Sequence, residues 1–331
     1  MHFTLRTSLR DRLLLLCLVA GFAGLVALVS DGVPKPRLLG LMPTGMIAKG
    51  PLPPSLPAIH RAETEDARLL HAAFDRIGFD LDSVAAGYIS VPRVVLPSLP
   101  SNMEQIDGID ERKALFLRTL LPIILAVNDR IADDRARLVA LRAKLDSGAT
   151  LSGGEVARIM ALADSYDQPD ADLNALLQKV DIIPPSLALS QAIEESGWGT
   201  SRIARDRNAL FGQVASSSDS GWDYRSFADL FEAVDAYARN LNTHRAYREF
   251  RTERMKMAAS GTFDSWKLAG LLHRYSERGA DYVQTIRSIM RNNQLQMFDG
   301  ARLAARRGVV IVESRVDERT LYAGADHVLT P

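Results

Sequence analysis

The sequence predicts a mainly α-helical fold with one short β-capable stretch, set behind an apolar N-terminal segment. Three observations predict it. Apolar residues recur at helical spacing through most of the chain beyond residue 60. Residues 222–227, WDYRSF, alternate aromatic and polar side chains as a strand does. Residues 13–30, LLLLCLVAGFAGLVALVS, form an unbroken apolar run.

That run would be about 27 Å long as a helix, close to a hydrocarbon core of about 30 Å. Arg6, Arg10 and Arg12 precede it and favour the cytoplasmic side, which puts everything after residue 30 outside. The segment reads either as a cleaved signal peptide or as an uncleaved signal-anchor. It exceeds the usual signal core of about 7–15 residues and no A-x-A site follows, which favours the anchor. Cys17, the single cysteine, sits inside it as an apolar residue, so no intramolecular disulfide can form. Lys and Arg total 40 against 40 Asp and Glu, a balance that argues against a nucleic-acid binder. The six histidines show no metal-ligand spacing, and neither a P-loop nor a dinucleotide fingerprint occurs.

Prolines 34, 36, 43, 51, 53, 54 and 57 make residues 31–59 a semi-extended linker. A helix over 64–77 would place Leu69, Leu70, Ala73, Phe74 and Ile77 on one face. VPRVVLPSLP (91–100) is an extended break. Residues 110–146 predict a long helix with a kink at Pro122, buried in its apolar first half and solvated in its charged second half; a second membrane span is the alternative for the first half. Ser152 to Glu155 reads as a capping box opening a helix to about residue 166, with Val156, Ile159, Met160 and Ala163 as its apolar set. Pro184 and Pro185 open a further helix that Gly197 and Gly199 close. VASSSDSG (214–221) reads as a flexible polar loop. Helical patterns resume over 229–242, 244–258, 264–273 and 280–293, and the tail's GVVIVESRV is strand-like without an evident partner.

The segment PPSLALSQAIEESGWGTSRIARDRNALFGQ (184–213) carries the chemistry. On a helix, Glu195 shares a face with Ala188, Gln191 and Ala192, all small or neutral. Partial desolvation and the negative helix C-terminus both favour a protonated carboxyl there. A carboxylic acid held neutral is the proton donor that glycosidic cleavage needs. Trp198 could stack on a sugar ring or belong to the core, and Ser196 could orient the carboxyl. Glu194, about 100° round the helix, faces solvent.

ALSQAIEESGWGTSRIAR resembles the signature of the glucosaminidase family, whose members cleave bacterial cell-wall glycan strands. The family pattern, a helix ending in ES-x-WG-x-S and then N-x-LFG, is matched by Glu195-Ser196-Gly197-Trp198-Gly199-Thr200-Ser201 and by Asn208-Ala209-Leu210-Phe211-Gly212. LNTHRAYREFR (241–251), YSERGADYVQTIRSIMRNN (275–293), VPRVVLPSLP and ERKALFLRTLLPIIL extend the resemblance, over about 85–293, to the Bax-like branch of bacterial envelope proteins.

The resemblance implies a lysozyme-like α+β catalytic domain with a small β-hairpin lobe at 181–295. A helical region at 60–180 precedes it and a weakly ordered tail at 296–331 follows. It implies Glu195 as general acid, Tyr275 lining the sugar cleft, Tyr282 as a more structural tyrosine, and Phe211 with Gly212 at the turn beside the cleft. Ala209 stands where many relatives have Asn, so Asn208 would have to supply that contact. For a second carboxylate the hairpin offers Asp223 and Asp219, and the next helix Glu232; otherwise the substrate's own 2-acetamido group serves. The implied activity is an endo-β-N-acetylglucosaminidase acting on peptidoglycan glycan strands without a metal or organic cofactor. The chain would be anchored in the inner membrane facing the periplasm, or secreted there if the segment is cleaved. A lytic transglycosylase and a non-enzymatic, membrane-anchored glycan-binding protein are the alternatives.

Overall fold

A computed structural model describes Ile59 and residues 61–218 and 221–305. The apolar run at 13–30, the proline linker up to residue 58, Asp219 and the strand-like GVVIVESRV lie outside the described residues.

Helices α1 (Arg61–Glu65) and α2 (Ala67–Arg76) stand where one helix was expected. Asp66 between them accepts from the N–H groups of Arg68 and Leu69 and so caps a new start. Leu70, Ala73 and Phe74 are buried, but Leu69 faces solvent, because its position is about 100° from that of Leu70. After α3 (Leu81–Ala85) the extended stretch 91–100 buries Val91, Val94, Leu96 and Leu99. Helix α4 (Ile109–Asp146) runs through Pro122 without interruption. Leu115 to Asn128 are mostly buried, while the second half buries only Ile131 and Leu138. No described helix is long and apolar enough to cross a membrane. The burial of this stretch by protein makes it a core helix.

Helix α5 (Gly153–Ser165) begins with the expected capping box: Glu155 N–H donates to Ser152 Oγ (3.3 Å) and Ser152 N–H to Glu155 Oε2 (2.7 Å). Of its apolar set Ile159 and Ala163 are buried, and Val156 and Met160 stay exposed. Helix α6 (Leu173–Lys179) leads to α7 (Pro185–Ser196), the centre of the fold. Helix α8 (Arg202–Arg207) and an antiparallel hairpin follow, β1 (Val214–Ser218) with β2 (Gly221–Tyr224). The expected polar loop at 214–221 is thus largely a strand. Its serines lack β propensity, and pairing with WDYR supplies what the local sequence does not. The chain closes with α9 (Leu230–Thr243), α10 (Arg248–Ser260), α11 (Ser265–Ala269), α12 (Ala280–Asn292) and a 3₁₀ turn at Leu295–Phe298.

Helix α7 buries ten of its residues and packs against α4, α11, α12 and the 3₁₀ turn. Its entry is clamped. Asn128 Nδ2 donates to the Ile183 carbonyl (2.7 Å), and Ile183 N–H donates to Asn128 Oδ1 (3.0 Å). The buried Arg254 donates to the carbonyls of Asp181 and Ile182. Asp299 caps the helix from a distance, accepting from Ser186 N–H and Ser186 Oγ at 2.9 Å each, and from Ser265 Oγ at 2.6 Å. Asp299 belongs to the stretch expected as a weakly ordered tail. Residues 296–305 are placed there by Phe298 in the core and by backbone bonds of Val91 with Arg302 and Ala304, 2.8 Å each.

Truncating Asn128 strands a buried N–H and a buried carbonyl of Ile183, each worth about 1–3 kcal/mol when unsatisfied. Asn128→Ala should therefore lower unfolding free energy by about 2–4 kcal/mol in urea titrations, with no change in the slope.

Candidate active site

Glu195 lies in the last turn of α7. The chain beyond it takes three successive left-handed residues, Gly197 (φ 58°), Trp198 (φ 59°) and Gly199 (φ 76°), and so leaves the helix within one turn. A Cβ added to Gly199 would lie 2.8 Å from Leu99 Cδ1 and 3.1 Å from Phe116, which demands glycine. Trp198 bears a left-handed cost of about 1–2 kcal/mol. Its ring meets Phe116 edge-on (centroids 5.8 Å) and Lys113 Nζ at 5.3 Å, packing it half-buried against α4.

The Glu195 carboxyl rests on the backbone of Gly212. A Cβ there would sit 2.6 Å from Glu195 Oε2, and φ is +62°. The Tyr282 phenol lies beside the carboxyl and favours its ionised form. The same phenol accepts from Gln191 Nε2 (2.9 Å), and Gln191 Oε1 accepts from Tyr237 Oη (2.7 Å). The donors and acceptors of this chain run one way. Tyr237 donates to the glutamine carbonyl and the glutamine amide donates to Tyr282, which leaves the Tyr282 proton free to point toward Glu195. Burial raises the Tyr282 phenol, and the neighbouring Glu195 charge raises it further, so it stays a donor. Burial is also the main cause that lifts the Glu195 pKa above the ordinary carboxylate value; Tyr282 opposes it, Glu194 adds to it and Arg278 opposes it weakly.

Tyr275 stacks on Tyr282 (5.5 Å, 8°) and donates to the Phe211 carbonyl (2.9 Å), one residue before Gly212. Tyr282 is the buried tyrosine and lies beside Glu195, while Tyr275 is partly exposed and steadies the turn that carries Gly212. Phe211 is core, stacked on Tyr237 at 4.0 Å. Ser196, expected to orient the carboxyl, points inward. Its hydroxyl donates to the Ala192 carbonyl (2.6 Å) and accepts from Gly199 N–H (3.0 Å), closing the helix end. Asn208 is buried and donates to the Phe227 carbonyl (3.2 Å), so it tethers the hairpin's exit and supplies no contact at the carboxyl. Asp223 is exposed and paired with Arg207 (2.9 Å). Glu232 caps α9, accepting from Ala228 N–H. Asp219 lies outside the described residues. Glu194, expected in solvent, is bonded by Arg278 (2.5 Å), whose guanidinium lies 6.0 Å from the Tyr282 ring centroid.

Sequence reasoning missed Gln191, Tyr237 and Arg278 as parts of the site. Gln191 stood on the Glu195 face, a usable signal. Tyr237 and Arg278 are 42 and 83 positions from Glu195, and only the packing of α9 and of the loop before α12 brings them in.

With this geometry described, the comparisons with known proteins fall into place. Residues 171–295 match the family described as Glucosaminidase, mannosyl-glycoprotein endo-beta-N-acetylglucosaminidase. Over 210 residues the chain is 33% identical to Protein bax of Escherichia coli (strain K12), which covers 60% of this chain and 75% of that protein. The chain belongs to the glucosaminidase family. Within it, the chain falls in the Bax-like branch. Among solved structures, the catalytic domain of the autolysin Auto from Listeria monocytogenes aligns with 47% of this glucosaminidase-family chain and 96% of that domain, at 17% identity and a TM-score of 0.29. The matched segment contains the whole Glu195, Gln191, Tyr282 and Gly212 constellation.

Between the ordinary glutamate pKa and its raised value, folding takes up a proton at Glu195, so stability falls as pH rises through that window. Glu195→Gln removes this penalty. Its melting temperature should exceed the parent's near pH 7 and converge with it below about pH 4. Gly212→Ala should cost about 1–2 kcal/mol from backbone strain alone and displace the carboxyl, a change that NMR titration of Glu195 would report.

Proposed function

We propose that this chain is a peptidoglycan hydrolase, an endo-β-N-acetylglucosaminidase cleaving the β-1,4 bond after N-acetylglucosamine, on a lysozyme-like catalytic domain. The observation that carries the proposal is the Glu195 carboxyl, desolvated against Gly212 with the Tyr282 phenol beside it and its pKa raised by burial. Glu195 protonates the glycosidic oxygen as the bond breaks. Asp223 is engaged by Arg207 and exposed, which favours the substrate's 2-acetamido oxygen as nucleophile at the anomeric carbon. Water then opens the cyclic intermediate, with Glu195, now ionised, as base. In this reading residues 13–30 hold the domain at the outer face of the inner membrane, where its substrate lies.

A lytic transglycosylase is the second reading, favoured by the same site: one carboxyl serves an intramolecular ring closure as well as a hydrolysis. Mass spectrometry of muropeptides after digestion separates them. Reducing N-acetylglucosamine ends are expected, and 1,6-anhydromuramic ends would replace the hydrolase with the transglycosylase. In a cell-wall zymogram Glu195→Gln should lose at least about 100-fold in activity. Clearing that survives in the mutant removes Glu195 from the acid role, and a parent that clears nothing favours a non-enzymatic glycan binder.

A further inference from the structure

A second cleft lies beyond Tyr275. It has a volume of about 1020 Å³, opens widely to solvent, and is lined from two directions. Arg245 comes from a 3₁₀ turn at Arg245–Tyr247 and Arg248 is the first residue of α10, while Arg274 and Tyr275 come from the loop that precedes α12. Glu249 and Glu277 also line it, so guanidiniums outnumber carboxylates three to two. Among the described residues Arg245, Arg248 and Arg274 make no ion pair and no side-chain hydrogen bond. This sets them apart from Arg207, Arg254 and Arg278, whose guanidiniums are all engaged.

The cleft is joined to the acid by a short covalent and hydrogen-bonded path. Tyr275 forms its wall and donates to the Phe211 carbonyl, and the next residue, Gly212, carries the Glu195 carboxyl. Tyr275 thus belongs both to the wall of this cleft and to the support of the turn on which the Glu195 carboxyl rests. Planar guanidiniums without protein partners match carboxylates in charge and in two-point hydrogen bonding. An uncharged sugar would draw nothing from them beyond single weak bonds.

We propose that this cleft is a subsite for carboxylate groups carried as substituents on the glycan strand, with Arg248 and Arg274 as its principal ligands. The proposal rests on the glycan-cleaving reading of Glu195 and deepens it, by giving the strand's acidic substituents a binding place with named ligands. The test compares soluble glycan strands with the same strands after their carboxyls have been converted to primary amides. Binding of the full chain is measured with the Glu195→Gln protein, in which turnover does not interfere. Amidation should weaken binding at least tenfold. The Arg248→Ala/Arg274→Ala pair, added to that background, should lose a similar factor on native strands and become indifferent to amidation. Arg248→Lys/Arg274→Lys should recover part of the loss, because charge is kept and the planar fork is not. All these positions are exposed or line solvent, so a melting curve shows directly that the variants fold. Equal affinity for native and amidated strands, or an Arg248→Ala/Arg274→Ala protein that discriminates them as the parent does, overturns the subsite. Strands that bind with the predicted discrimination yet are never cleaved by the parent protein overturn the hydrolase reading and leave the subsite standing.

Discussion

The described elements of the catalytic region are arranged around a helix that is buried along most of its length. Helix α7 has no solvent face along most of its length, so every polar group it carries must find a partner inside the protein. Ser190 answers this locally by donating to the Ser186 carbonyl. Ser186 needs Asp299, more than a hundred residues away, and Gln191 needs two tyrosines from two other helices. An unpartnered buried amide costs about 1–3 kcal/mol, so these bonds select one arrangement of α9, α12 and the chain end around α7.

The helix's exit inherits that order. Gly212 presses on the Glu195 carboxyl from one side, and Tyr282, held by Gln191, lies beside it. Desolvation raises the carboxyl's pKa while Tyr282 restrains the rise. The carboxyl is tuned chiefly by burial, opposed by Tyr282, without a neighbouring carboxylate as partner among the described residues of the hairpin. The hairpin itself is two short strands rich in serine, a unit too small to be stable alone, and its attachment through Arg207 to Asp223 and the Tyr224 carbonyl leaves it dependent on α8.

Much of this was legible locally. The Ser152 capping box, the proline start and glycine end of α7, and the burial of the apolar half of α4 follow from patterns within a few turns of chain. The Glu195 motif and its family were legible too, because that signature is contiguous. Failures came where a pattern is degenerate. Leu69, Val156 and Met160 sit at the edge of an apolar stripe, and spacing alone does not say which edge the protein covers. Residues 214–218 have no strand propensity of their own and become a strand by pairing.

The sequence by itself determined most of the helices, the family and the motif that holds Glu195, since these depend on residues close together in the chain. Only the tertiary structure decided which side chains surround that acid. Ser196, Asn208 and Phe211 stand in the motif but turn into the core, whereas Gln191, Tyr237, Tyr282 and Gly212 form the site. The physical reason is burial: a polar group's role is set by the partner that satisfies it, and inside a closed core that partner comes from wherever the packing brings the chain.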